Sequence, residues 1–240
     1  MCGIFGIFSR HNLTDDSIDR CRKSIHELTH RGPDAEGEFV DQEAGIYFGH
    51  RRLKIVDLSE QSSQPMRRAD TVLTYNGEIY NFPDIKARLE GMGHSFKSTG
   101  DTEVLLEAWL RWGPDCLDHM DGMFAFAIWD GAHGWLAVDP FSEKQLYYAE
   151  TGSGLIFSSE LAVLADFIND KPDIKSNLPE FLTLGYISSP NTIYPSIKRL
   201  DPASWLKIEN GRIVGRHRYW SPPAPSNQNE KRPKFDATSM

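Results

Sequence analysis

The chain has 240 residues, 40% of them hydrophobic and 25% charged, and this length buries a substantial core without disulfide or metal staples. Its 26 basic and 34 acidic residues leave a net charge of −8, which argues against nucleic acid as the main partner. No apolar run reaches the ~18–20 residues of a membrane span or forms a signal peptide, and three scattered cysteines (Cys2, Cys21, Cys116) do not make a secreted disulfide framework. A cytoplasmic protein is expected.

In chain order, residues 2–8 read as a buried strand rich in β-formers, beginning at the terminus itself. Ile18, Cys21, Ile25 and Leu28 recur at helical steps, and Gly32-Pro33 stops that helix. Strands are predicted at 46–50 and 71–75, with a polar loop over 57–70. Pro83 suits the first turn of a helix that carries Ile85, Leu89 and Met92. Asp101 or Thr102 is expected to cap a helix over 104–112, closed by Gly113-Pro114. Strands follow at 124–129, 135–138, 146–149 and 155–158, with hairpin signals at Asp130-Gly131 and 152–154. Short helices over 159–168 and 177–184 and a hairpin through Asn210-Gly211 complete the pattern. Strands and helices mix without regular βαβ alternation, so an α+β fold with layered, largely antiparallel sheets is expected. Residues 221–240 contain four prolines and few apolar residues, which reads as a linker after one domain over 2–220.

Position 2 carries the first chemical signal. An initiator methionine before a small residue is a usual target for excision, which makes Cys2 the terminal residue. Such a residue holds a thiol and, with a pKa near ~7.7–8.0, an α-amine able to take the thiol proton. The bland alternative is a small strand residue whose thiol is incidental. Cys21 and Cys116 fall in helical patterns and read as core. His26-Glu27-Leu28-Thr29-His30 fits the zinc-protease spacing, but Gly32-Pro33 ends the helix at once and no third histidine follows at the required offset.

Several ordered motifs accompany Cys2. They are Met1-Cys2-Gly3-Ile4-Phe5-Gly6-Ile7, His30-Arg31-Gly32-Pro33-Asp34, His50-Arg51-Arg52-Leu53-Lys54-Ile55-Val56-Asp57 and Gln64-Pro65-Met66. Tyr75-Asn76-Gly77-Glu78-Ile79-Tyr80-Asn81, Gly100-Asp101-Thr102-Glu103, Asp121-Gly122-Met123-Phe124-Ala125-Phe126 and Phe157-Ser158-Ser159-Glu160 follow. Together they resemble the glutaminase domain of class II glutamine amidotransferases, and among these the glutamine-dependent asparagine synthetases. The resemblance extends over nearly all of 2–220.

That resemblance implies the four-layer αββα sandwich of the N-terminal-nucleophile hydrolases. It implies hydrolysis of L-glutamine to glutamate and ammonia through a γ-glutamyl thioester on Cys2. Carried over position by position, Asn76 (side-chain amide) and Gly77 (backbone N–H) resemble the oxyanion hole. Arg52 matches the group that binds the glutamine α-carboxylate, and Asp101 the one that pairs with its α-ammonium. Ile55, Val56 and Glu78 belong to the same substrate-binding segments. The chemistry is apt, since guanidinium suits a carboxylate and aspartate an ammonium. Read without the resemblance, Arg52 is a surface charge, Asn76-Gly77 a turn and Asp101 a helix cap.

The pattern also departs from the family. Where the family usually reads Arg-Asp-Arg-Phe-Gly-x-Lys-Pro-Leu-Tyr-Tyr, this chain differs at Val138, Pro140, Ser142 and Gln145, and Asp201-Pro202-Ala203-Ser204 lacks the usual Gly-His. The Ser-Gly-Gly-x-Asp-Ser pyrophosphate loop of the family's synthetase domain does not occur here. ATP and Mg²⁺ are therefore expected only with an ammonia-accepting synthetase domain or subunit, and no cofactor or metal within this chain. A homodimer stays open. Two other readings also stay open: the amidotransferase half of another biosynthetic enzyme, serving sugar or cell-surface synthesis, and a non-catalytic glutamine- or partner-binding module.

Overall fold

The computed structural model describes residues 1–54 and 59–223. Strand β1 (Gly3–Ser9) is apolar on both faces because it is covered on both: Ile4 and Phe8 point one way, Phe5 and Ile7 the other. It pairs antiparallel with β3 (Ile46–Arg52) and with β9 (Gly154–Ser158), so the start of the chain lies inside a sheet. That sheet runs β10 (Lys198–Arg199), β8 (Tyr147–Thr151), β9, β1, β3, β2 (Ala35–Asp41). The second sheet runs β12 (Arg212–Arg218), β11 (Ser204–Glu209), β7 (Gly134–Val138), β6 (Gly122–Trp129), β5 (Thr71–Ile79), β4 (Met66–Arg68). Every pairing in both is antiparallel.

The period-2 alternation of the central strands separates three cores. Between the sheets lie Ile4, Phe8, Phe48, Ala125, Ala127, Leu136, Val138 and Phe157. On the outer face of the first sheet, Phe5, Ile7 and Tyr47 pack on α1 (Asp15–Glu27) and α4 (Leu161–Ile168). On the outer face of the second, Phe124, Phe126, Trp135 and Ala137 pack under α2 (Phe82–Glu90) and α3 (Asp101–Trp112). The result is the four-layer αββα sandwich expected from the sequence.

Most predicted elements are found within a residue or two. Helix α1 begins at Thr14, whose Oγ1 accepts from the N–H of Ser17 at 3.2 Å, and carries Asp15 and Asp16 in its first turn. The Asn210-Gly211 hairpin joins β11 to β12, with both residues at positive φ (49° and 64°) as a tight primed turn requires. Strands β2, β4 and β10 had no counterpart in the sequence reading: β2 is polar at alternate positions, and the other two have three and two residues. Part of the predicted 57–70 loop is a 3₁₀ turn (Glu60–Ser62) followed by β4. The helix expected over 177–184 is α5 (Ile174–Leu184). Asp173 caps it by accepting from the N–H of Ser176, and Pro179 sits inside rather than in the first turn. Among the described residues, no helix is long and apolar enough to cross a membrane.

Two readings are corrected. Asn76-Gly77 is not a turn, because β5 runs through both residues to Ile79. Asp101 does not cap α3: it is the helix's first residue, Gly100 precedes it, and its carboxylate is turned elsewhere.

Candidate active site

Cys2 sits immediately ahead of β1, where the chain emerges between the sheets. Its Sγ lies 3.4 Å from the Leu53 N–H that donates to it and 3.8 Å from the Leu53 carbonyl. Its own carbonyl accepts from Arg31 Nε at 3.0 Å, and Arg31 is held by Glu160, which also pairs with His30 Nε2 at 2.7 Å. His30 is thus committed to Glu160 and to the Glu27 carbonyl. Burial pushes the Cys2 thiol up. The Leu53 N–H, the N-terminal charge and the Arg52 and Arg31 guanidiniums act against that rise.

Strand β5 forms the opposite wall. Phe124, the β6 residue opposite Gly77, gives its N–H and carbonyl to Asp139 beyond β7 rather than to β5. By alternation, the odd-numbered residues of β5 therefore turn their N–H groups away from β6, toward the β4 edge. Strand β4 pairs only with residues 71–73, so the edge beyond is open to side chains. The Tyr75 N–H donates to Gln64 Oε1 at 2.6 Å and the Ile79 N–H to Asp101 Oδ2 at 3.0 Å. Between them, the Gly77 N–H meets no acceptor among the described residues. Glycine is required at 77 because a Cβ there would lie 2.3 Å from the Met123 carbonyl oxygen of β6. Asn76 points to the inter-sheet side. Its side chain is 2% exposed, and among the described residues Nδ2 has no hydrogen-bond partner.

Cys2, Asn76, Gly77, Glu78, Arg52 and Asp101 line one cleft. Arg52 ends β3 and is not a surface charge: it is 7% exposed and Nη1 donates to the Ser59 carbonyl at 2.9 Å. Asp101 is buried with both described side-chain contacts on one oxygen: Oδ2 accepts from Tyr75 Oη at 2.7 Å and from the Ile79 N–H. Burial raises its carboxyl above the ordinary range, Glu78 adds to the rise, and the two hydrogen bonds oppose it. The expected contacts at Ile55 and Val56 lie outside the described residues.

Four supporting residues had motif positions but no assigned part. Gln64 fixes Tyr75, and Tyr75 fixes Asp101. His50 on β3 reaches across the sheets and donates from Nε2 to the Tyr75 carbonyl at 3.1 Å, and burial drives its pKa down to about 3, so the ring is neutral. Glu103, one turn into α3, accepts from the N–H groups of Lys97 and Ser98 and so pins the loop leading to Asp101. The His50–Tyr75 and Tyr75–Asp101 links join residues about 25 apart in sequence, in separate motifs, which single motifs do not reveal.

Residues 1–220 match the family model described as a glutamine amidotransferase domain. The chain belongs to that family. Glutamine-hydrolysing asparagine synthetases 1 and 3 of Bacillus subtilis are 35% and 38% identical to it over 87% and 92% of its length. A putative asparagine synthetase 2 of Methanocaldococcus jannaschii is 36% identical over 93%. The domain spans only 33%, 37% and 47% of those three relatives. Among solved structures, glutamine phosphoribosylpyrophosphate amidotransferase of B. subtilis superposes with a TM-score of 0.68 at 20% identity, covering 91% of this chain and 49% of that one. This likeness shows that the two chains share the layered fold described above.

Proposed function

We propose that this domain hydrolyses L-glutamine to glutamate and ammonia, with Cys2 as the nucleophile once Met1 has been excised. One observation carries the reading: the Cys2 thiol shares a cleft with two unused donors, Asn76 Nδ2 and the Gly77 N–H, on the facing strand. A buried donor such as Asn76 Nδ2 is rarely left without an acceptor, and together with the N–H of the adjacent Gly77 it offers a cradle for an oxyanion.

In the derived mechanism the α-amine of Cys2 takes the Sγ proton, directly or through one water. Sγ then attacks the amide carbon of the glutamine side chain. The oxyanion is held by Asn76 and Gly77, and the C–N bond breaks as the amine returns the proton to the departing ammonia. Water, deprotonated by the same amine, opens the thioester and frees glutamate. Arg52 takes the substrate α-carboxylate and Asp101 its α-ammonium, while Glu78 lines the same cleft. The relatives' names support an asparagine-forming parent over sugar or cell-surface synthesis. There the ammonia passes to an ATP- and Mg²⁺-dependent synthetase domain or subunit, with 221–240 as the linker after a unit over 2–220.

Intact mass of the purified protein should show loss of Met1, and Cys2→Ala should abolish turnover while glutamine still binds. Asn76→Ala should lower kcat by ~100-fold or more with a smaller effect on KM, as expected for a contact strongest in the transition state. A glutamine-binding module without catalysis would bind glutamine and release no ammonia in the same assay. That result would overturn the proposal.

A further inference from the structure

Asp139 is fully buried and accepts four backbone N–H groups, from Phe124, Phe141, Glu143 and Lys144, at 3.0–3.1 Å. One carboxylate therefore ties the 139–144 loop to β6 at the residue facing Gly77. The loop delivers Lys144 into the same cleft as Cys2, Asn76 and Gly77. Lys144 is 8% exposed, and no carboxylate among the described residues pairs with it. Its Nζ instead lies 3.3 Å from the Met1 Sδ. A thioether is a weak acceptor, and a buried ammonium without a counter-charge is costly. Such a group persists where its charge has a use.

We propose that Lys144 is a positioning residue for the reaction, whose ammonium charge keeps the α-amine of Cys2 neutral and favours the Cys2 thiolate. This rests on the glutaminase reading above. A cation beside the terminus disfavours a second cation and favours an anion, so both effects run toward the neutral-amine, thiolate pair that the mechanism needs. The other charges around residue 2 are Arg31, held by Glu160, which also pairs with His30; Arg52 at the end of β3; Glu78 and Asp101 on the far wall; and Glu143 in the loop itself. Arg31 is paired with Glu160, while Arg52 donates to the neutral Ser59 carbonyl and, in the reading above, takes the substrate α-carboxylate; both also act on the Cys2 thiol. Lys144 is the described cation of the cleft without such an engagement.

The test compares Lys144→Met, which removes the charge at similar length, with Lys144→Arg, which keeps it. Two pH profiles are read on the full chain after Met1 loss is checked by mass: kcat/KM for glutamine, and the rate of Cys2 alkylation by iodoacetamide. Cys21 and Cys116 are fully buried and do not compete. In Lys144→Met the acid limb of kcat/KM and the alkylation midpoint should both move up by about half a pH unit or more, as loss of a unit charge lining the same cleft requires. Lys144→Arg should stay close to wild type. Coincident wild-type and Lys144→Met profiles would overturn the proposal, as would equal shifts in both variants, because a merely structural role ignores charge. If Lys144→Met fails to fold by circular dichroism, Lys144→Gln replaces it under the same criteria. Wild-type protein that alkylates with the expected Lys144 dependence but hydrolyses no glutamine would sink the glutaminase reading instead.

Discussion

The buried Asp101 carboxylate costs the fold stability at neutral pH. Its carboxyl is raised by burial, so the unfolded chain releases that proton near pH ~3.9 and the folded one at higher pH. Between those values the folded state binds more protons, and stability falls as pH rises; above them the penalty is constant. Both hydrogen bonds converge on Oδ2, so asparagine at 101 keeps them through its single carbonyl oxygen. Asp101→Asn should therefore melt at a higher temperature than wild type at pH 7, with the difference shrinking toward pH 4. The same variant should narrow the preference for glutamine over N-acetylglutamine, since the charge that selects a free ammonium is gone. Wild-type turnover of N-acetylglutamine as fast as glutamine would remove Asp101 from its assigned role. At this scale the sequence was legible in the motifs that single out Cys2, Arg52 and Asp101, which the fold brings into one cleft. It was not legible for Lys144, whose part depends on a loop knotted by Asp139 and on what lies across the cleft.

Among the elements, β5 is where local reading failed most instructively. Asn-Gly is common turn punctuation, yet here β6 on one side, and Gln64 and Asp101 on the other, hold it extended. Tertiary pairing overrode a dipeptide preference, as it does for most strands. Long apolar strands such as β1, β6 and β9 were legible because both faces are covered and the composition says so. Strands β4 and β10 were not, being short edge strands placed by their neighbours. The 139–144 loop shows a local conflict of another kind. Ser142 stands where the family usually has glycine, adopts φ 54°, and buries its Oγ without a partner among the described residues. A left-handed residue with a Cβ costs roughly 1–2 kcal/mol, partly offset by the backbone freedom that glycine loses on folding. Ser142→Gly should therefore stabilise the domain by about 1 kcal/mol, a rise in Tm of ~2–4 °C. An unchanged or lower melting temperature would count against strain at that turn.

For the whole molecule, the sandwich was legible as a class but its topology was not. Nothing local in residues 2–8 indicates that they pair with both β3 and β9, the latter some 150 residues away. That placement has a consequence during synthesis. The first strand to leave the ribosome cannot be flanked on both sides until β9 follows, which takes on the order of 8–30 s at ~5–20 residues per second. Throughout that interval the amino terminus remains outside any finished sheet, accessible to the aminopeptidase that would remove Met1 under the proposed function. Once the fold closes, the Cys2 carbonyl is bound by Arg31, its thiol lies against Leu53, and Met1 rests on Lys144. Folded protein that still carries Met1 should accordingly be trimmed by added methionine aminopeptidase far more slowly than a free peptide of its first ten residues; equal rates would contradict this. Under the proposed function, maturation is a race between trimming and folding, and the central position of β1 gives trimming its head start.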